Sequence, residues 1–345
     1  MGIIVLAVAI LPMLGVGGMQ LFKAETPGPM KEAKLTPRIH ATARNLWLVY
    51  AGITLLCTLA LKTAGLSWLD AVCHAFAAMS LGGFSTHDAS VGFYNSPVVE
   101  GILVFFMLVA GINFATHYLV LSKRDFGIYL RDSEFKGFFL TLIITLLLLC
   151  GLMLWHGFYS DPWLVFRHVL FNLVSLGTGC GFASMNYGQW PLYASLTILL
   201  LCCVLPCAGS TGGGVKMVRA IILSREAYRQ MVTLLHPRAI QPLRVSGMIV
   251  PGSIIFAVLG FVFLFVLSAL LMTFVLMASG MDVLSAFTAV IACIGNAGPG
   301  LGMVGPDSNY IALTDFQTWL CSFAMLLGRL EVFSVLVLFT PAFWR

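Results

Sequence analysis

Three short segments carry residues able to do chemistry: Leu81-Gly82-Gly83-Phe84, Gly179-Cys180-Gly181-Phe182 and Asn296-Ala297-Gly298-Pro299. They align on Gly83, Gly181 and Gly298, each followed by a bulky or rigid residue and then by small ones. Glycine permits positive φ, which lets backbone carbonyls turn inward. Rings of such carbonyls replace the hydration shell of a cation. One such segment alone would read as a tight turn or a close helix contact. Three in the same setting read as one cation path.

A fourth segment, Gly209-Ser210-Thr211-Gly212-Gly213-Gly214, places four glycines in six residues just before Lys216. A phosphate-binding loop needs Gly-Lys-Ser/Thr after a buried strand, and here Gly214 is followed by Val215-Lys216-Met217. The segment instead interrupts an apolar run, as the broken helices that line ion paths do. Arg329 lies within the last apolar run. A lone cation at that depth costs at least about 2.5–3.5 kcal/mol, so it needs a cavity or a partner. Arg167, near His168 and Asn172, reads as structural. The seven histidines show no metal-ligand spacing and the nine cysteines no CxxC pair.

The elements that hold these residues belong to a membrane. Of 345 residues, 59% are hydrophobic and 10% charged, and the mean hydropathy is +0.97. That charge is too sparse for a soluble surface. After a first apolar run at about 2–22, one pattern recurs three times: a long apolar run, a short run, a Gly-rich segment and a second long run. The long runs are 45–66, 137–158 and 249–279, and the short runs are 68–80, 162–176 and 283–294. The second long runs are 97–121, the one beginning near Pro191, and 315–340. The short runs rise only about 20 Å as helices, too little to cross a bilayer core of roughly 30 Å. They read as re-entrant half-helices, and the Gly-rich backbone after each must be buried in protein or line a watery cavity.

Net charge is +5, but sixteen of the nineteen Lys and Arg lie in alternate connections and the tail, so nucleic acid is not the partner. The positive-inside rule makes those connections cytoplasmic, and helical spans indicate an inner or plasma membrane, since outer-membrane proteins span as barrels. The opposite connections carry Asp70, Asp88, Glu100, Asp161, Asp282, Asp307 and Asp315, an acidic vestibule that would concentrate cations. Asp70, Asp161 and Asp282 also sit where helix caps are expected.

These segments resemble the Trk/Ktr/HKT potassium-transporter superfamily, and within it the TrkH-type pore subunits. The resemblance rests on Leu81 through Ser90, on Cys207 through Lys216, on Gly298-Pro299-Gly300-Leu301-Gly302, and on Gly328-Arg329-Leu330-Glu331-Val332-Phe333 with the ending Phe343-Trp344-Arg345. It implies an all-α integral membrane protein of repeated helix–pore loop–helix units that takes up K+. The filter would comprise Leu81, Gly82, Gly83, Gly179, Cys180, Gly181, Asn296, Ala297 and Gly298. The gate would comprise Gly209 through Gly214, Lys216 and Arg329, with the arginine projecting into the pore below the filter.

The family has four units, and three are visible here, with Gly2–Phe22 matching the return helix of the first. The expected division is 1–40 (end of an incomplete first unit and its loop), 41–124, 125–235 and 236–345. On that reading the chain is N-terminally incomplete and is not expected to conduct alone. The resemblance also implies a homodimer, a cytosolic TrkA-type nucleotide-binding subunit and no organic cofactor in this chain. The alternatives are an H+- or Na+-coupled symporter, for which only Glu331 comes near the buried carboxylate required, and a Na+-permeable relative. No nucleophile–base pair or metal cluster suggests an enzyme.

Overall fold

A computed structural model describes residues 39–159, 161–237, 241–330 and 332–344. The readings placed on Gly2–Phe22, on most of the basic segment 23–44 and on Glu331 lie outside the described residues. The described chain is helical apart from one two-stranded hairpin.

The first unit begins with α1 (Ile39–Thr63), followed by α2 (Trp68–Ser80). It returns through α3 (Pro97–Gly111) and α4 (Phe114–Lys123). After the short α5 (Gly127–Arg131), the second unit comprises α6 (Ser133–Trp155), α7 (Pro162–Gly177) and α8 (Leu192–Leu201). An interrupted stretch leads from α8 into α9 (Met217–Leu235). The hairpin β1 (Arg244–Val245) and β2 (Met248–Ile249) precedes α10 (Gly252–Ala278). The third unit closes with α11 (Val283–Gly295), α12 (Asp315–Arg329) and α13 (Val332–Leu336).

Among the described residues, α1, α6 and α10 are long and apolar enough to cross a membrane. Each packs on the half-helix that follows it, α2, α7 and α11. Their outward residues are apolar and exposed, Leu55 and Leu56 on α1, Leu147 on α6 and Phe263 on α10, as a lipid-facing surface requires. The half-helices are more buried: Ala71, Val169, Phe171, Ala289 and Ala292 are almost wholly inaccessible. The core therefore lies around the half-helices.

The return runs are not straight helices. The 97–121 run bends by 94° between α3 and α4. Ile112 there is extended, and the Asn113 side chain accepts from the backbone N–H of Ala115 (2.8 Å), starting a new helix. The run after Pro191 stops at Leu201, and α12 ends at Arg329 within the 315–340 run. The Gly-rich segment announced the second of these breaks; hydropathy shows none at the first and third because the chain there stays apolar.

The acidic vestibule needs a correction. Glu100 is 3% exposed and holds Arg167 through two bonds, 2.9 Å to Nε and 2.7 Å to Nη2. This pair joins α3 to α7, which makes Arg167 structural and removes Glu100 from the open mouth. Asp161 and Asp282 cap α7 and α11, accepting from Trp163 N (2.9 Å) and Ser285 N (3.0 Å). At α2 the cap is Ser67, and Asp70 accepts from the hydroxyls of Thr86 and Ser67. Those two bonds hold the Asp70 carboxyl below its ordinary range, and the Ser285 bonds do the same for Asp282.

Replacing Arg167 by Met should destabilise the protein by about 3–5 kcal/mol, because it strands a buried carboxylate. The double change Arg167→Met with Glu100→Gln should recover much of that loss. Thermal unfolding in detergent checks both. Equal melting points for the single variant and the parent would remove the ion pair from the account of stability.

Candidate functional site

The three half-helices end alike. In each, a residue in the left-handed region follows the helix: Leu81 (φ 53°), Gly179 (φ 77°) and Asn296 (φ 56°). The next residue donates its N–H five residues back, Gly82 to Ala77 O (2.8 Å), Cys180 to Ser175 O (2.8 Å) and Ala297 to Ala292 O (2.9 Å). This is the wide bond of a Schellman ending. A second left-handed residue follows, Gly83 (φ 66°), Gly181 (φ 93°) and Gly298 (φ 91°). Positive φ was expected at Gly83, Gly181 and Gly298 and is found there; the structure adds it at two non-glycine residues, Leu81 and Asn296, because the helix ending fixes which further position must be left-handed.

The three segments lie side by side. A Cβ on Gly83 would collide with the carbonyl oxygen of Cys180, and one on Gly181 with that of Ala297. Around Gly298 nothing among the described residues lies within 4 Å of such an atom. The Gly298 carbonyl accepts from the Tyr310 hydroxyl (2.7 Å). So the nine residues Leu81–Gly83, Gly179–Gly181 and Asn296–Gly298 form one cluster, in the order first, second, third.

Buried polar side chains on the half-helices fasten the chain that continues from each segment. His74 Nε2 lies 2.9 Å from Ser85 Oγ. Ser175 donates to Phe182 O (2.6 Å), and Asn172 donates to Ser184 Oγ (3.0 Å). Thr288 Oγ1 accepts from Leu301 N (3.0 Å), and Ser285 Oγ accepts from Met303 N (2.9 Å). Sequence reasoning missed these residues as a set. Their signal was available: each is polar within a short apolar run.

The Gly209–Gly214 loop lies against the C-terminal ends of all three half-helices. Thr211 Oγ1 donates to Met79 O at the end of α2 (3.0 Å). A Cβ on Gly212 would stand 2.9 Å from Thr178 O after α7, and one on Gly213 2.7 Å from Gly295 O of α11. Helix C-termini carry partial negative charge, so three converging on one place favour a cation there. Among the described residues two cations meet the loop there. Arg329 Nη1 donates to Thr211 O (3.0 Å), and the buried Lys216 ammonium donates to Gly212 O. Gly328 lets α12 come close enough for this, since a Cβ there would collide with Ile294 O.

The break between α3 and α4 completes the loop's setting. Cys207 N donates to Gly111 O (3.0 Å), and Phe114 N donates to Gly209 O (3.2 Å). Each interruption thus satisfies the other's backbone. Among the described residues no cluster of His, Cys, Asp or Glu could hold a metal ion. Among the described residues Glu100 and Glu134 are buried carboxylates; sequence reasoning put Glu100 at the open mouth and did not consider Glu134. Glu100 is paired with Arg167, and Glu134 accepts from two backbone N–H groups.

A profile of the family described as TrkH: Cation transport protein matches residues 1–345. This chain belongs to the TrkH family. Trk system potassium uptake protein TrkH of Escherichia coli (strain K12) is 44% identical over 348 residues, covering 100% of this chain and 71% of the relative. Trk system potassium uptake protein TrkG of the same organism is 38% identical over 345 residues and is covered to 70%. The crystal structure of the potassium transporter TrkH from Vibrio parahaemolyticus superposes with a TM-score of 0.87 at 39% identity, covering 100% of this chain and 70% of that one. The family membership, the apolar spanning helices and the re-entrant half-helices together make this a membrane protein of K+-channel-like repeats.

Proposed function

We propose that this chain takes up K+ across the cytoplasmic membrane, through a filter of backbone carbonyls above a Gly-rich gate. The observation that carries the reading is the cluster of three matching half-helix endings over one loop that touches all three. Relatives of known name supply the ion. On this reading Leu81, Gly82, Gly83, Gly179, Cys180, Gly181, Asn296, Ala297 and Gly298 line the filter. Gly209 through Gly214 block the path below it, with Lys216 and Arg329 as the cations that oppose passage. K+ is the transported ion, and this chain needs no organic cofactor. Residues 41–124, 125–235 and 236–345 are three units of the pore.

The basic connections, Lys123–Lys136 and Lys216–Arg244, then face the cytoplasm. They suit a cytosolic TrkA-type regulatory subunit as well as anionic lipid headgroups. The chain works as a homodimer. In proteoliposomes the full-length protein should pass K+ well ahead of Na+, without moving protons in step. Equal Na+ flux, or K+ flux that ceases when the proton gradient is collapsed, would sink the channel-like reading.

A further inference from the structure

The loop is fastened from the cytoplasmic side by a residue that its own sequence does not contain. Oε1 of Glu134, in the first turn of α6, accepts from Ala208 N (2.9 Å) and from Val218 N (3.1 Å). Ala208 enters the Gly209–Gly214 loop, and Val218 lies in the first turn of α9 just beyond it. One carboxylate oxygen therefore holds both ends of the loop. Glu134 is 9% exposed, so water does not compete freely for it. Tight packing supports the clasp: a Cβ on Gly137, one turn along α6, would stand 3.1 Å from Met217 Sδ.

The start of α6 is in turn tied to the β1–β2 hairpin. Ser133 N donates to Ser246 Oγ (3.1 Å), and Ser246 N donates to Ser133 Oγ (3.0 Å). Val245 of that hairpin shares a small apolar core with Ala208, Val218 and Ile222. The hairpin, the first turn of α6 and both ends of the loop are thus one connected block on the cytoplasmic side.

We propose that Glu134 is the latch of the intramembrane loop, a positioning residue that keeps Gly209–Gly214 in the path until the hairpin and the start of α6 shift. The inference rests on the gate reading above, and its test separates the two. Hydrogen–deuterium exchange is followed in the full-length protein at the amides of Ser210, Thr211 and Val215. These donate to Cys207, Ala110 and Cys203 carbonyls, not to Glu134. Local opening sets their exchange rate.

Glu134→Ala should speed their exchange by about tenfold or more, since it removes two hydrogen bonds that hold both ends of the loop. Glu134→Gln keeps an acceptor oxygen without the charge and should fall between the parent and the Ala variant. K+ flux is measured on the same samples. Faster exchange with raised flux supports both latch and gate. Faster exchange with unchanged flux supports the latch and overturns the gate. Unchanged exchange overturns the latch, and the Gln variant alone decides this if the Ala variant does not fold.

Discussion

Gly181→Ala is expected to abolish selective K+ transport. The residue has φ 93°, in the left-handed region. An L-residue there costs roughly 1–2 kcal/mol. Strain is the smaller part of the effect. The new methyl group would collide with the carbonyl oxygen of Ala297 and stand 3.0 Å from Pro299 Cδ. Both atoms belong to the neighbouring segment, and neither is the end of a flexible side chain. The third segment must move, and its carbonyls lose their aim.

Cation selectivity depends on carbonyl placement, so K+ uptake should fall by at least about tenfold and the K+/Na+ ratio should approach one. Two controls fix the cause. Gly298→Ala meets the same backbone strain (φ 91°) with no described atom within 4 Å, and should do less harm. Gly52→Ala in α1 meets no atom and no positive φ, and should be neutral or stabilise the helix by up to about 1 kcal/mol. Radiotracer flux with K+ and Na+ checks all three. A Gly181→Ala protein with parental selectivity would remove these carbonyls from the ion path.

Arg329→Ala is expected to raise K+ flux and to weaken its regulation. Arg329 stands where three half-helix C-termini converge and bonds to Thr211 O in the middle of the loop. Its loss acts in two ways. The loop loses a charge-assisted bond, about 1.5–3 kcal/mol, which shifts an open–closed equilibrium roughly tenfold or more towards open. The path also loses a fixed cation that repels K+.

Arg329→Gln separates these effects, since it keeps a donor for Thr211 O without the charge. If repulsion dominates, Gln should conduct as freely as Ala. If the bond dominates, Gln should resemble the parent. Parental flux and regulation in both variants would leave Arg329 as a structural partner of the loop and nothing more.

Local chemistry wrote much of this protein into its sequence. Runs of 20 or more apolar residues demanded a membrane. Runs too short to cross it demanded half-helices, and the glycines after each demanded an unusual backbone. The alignment on Gly83, Gly181 and Gly298 matches the register of the second left-handed residue in all three endings. Asp161 and Asp282 read correctly as caps because capping is decided within a few residues. Arg329 was conspicuous because a charge in an apolar run is.

Tertiary structure decided what depends on contacts between distant residues. Thr211 meets Met79 across 132 positions, Glu134 meets Ala208 across 74, and Arg167 meets Glu100 across 67. None of these pairs leaves a local trace. Nothing near Glu134 in the chain singles it out, and Glu100 read as one more acid at an open mouth. The bend between α3 and α4 was equally hidden, whereas the glycines of 209–214 announced the break in the second return run. A helix break is stable in a membrane only when another segment satisfies its freed N–H and C=O groups. Here the α3–α4 break and the Gly-rich loop do that for each other, and their partnership exists only once the chain has folded.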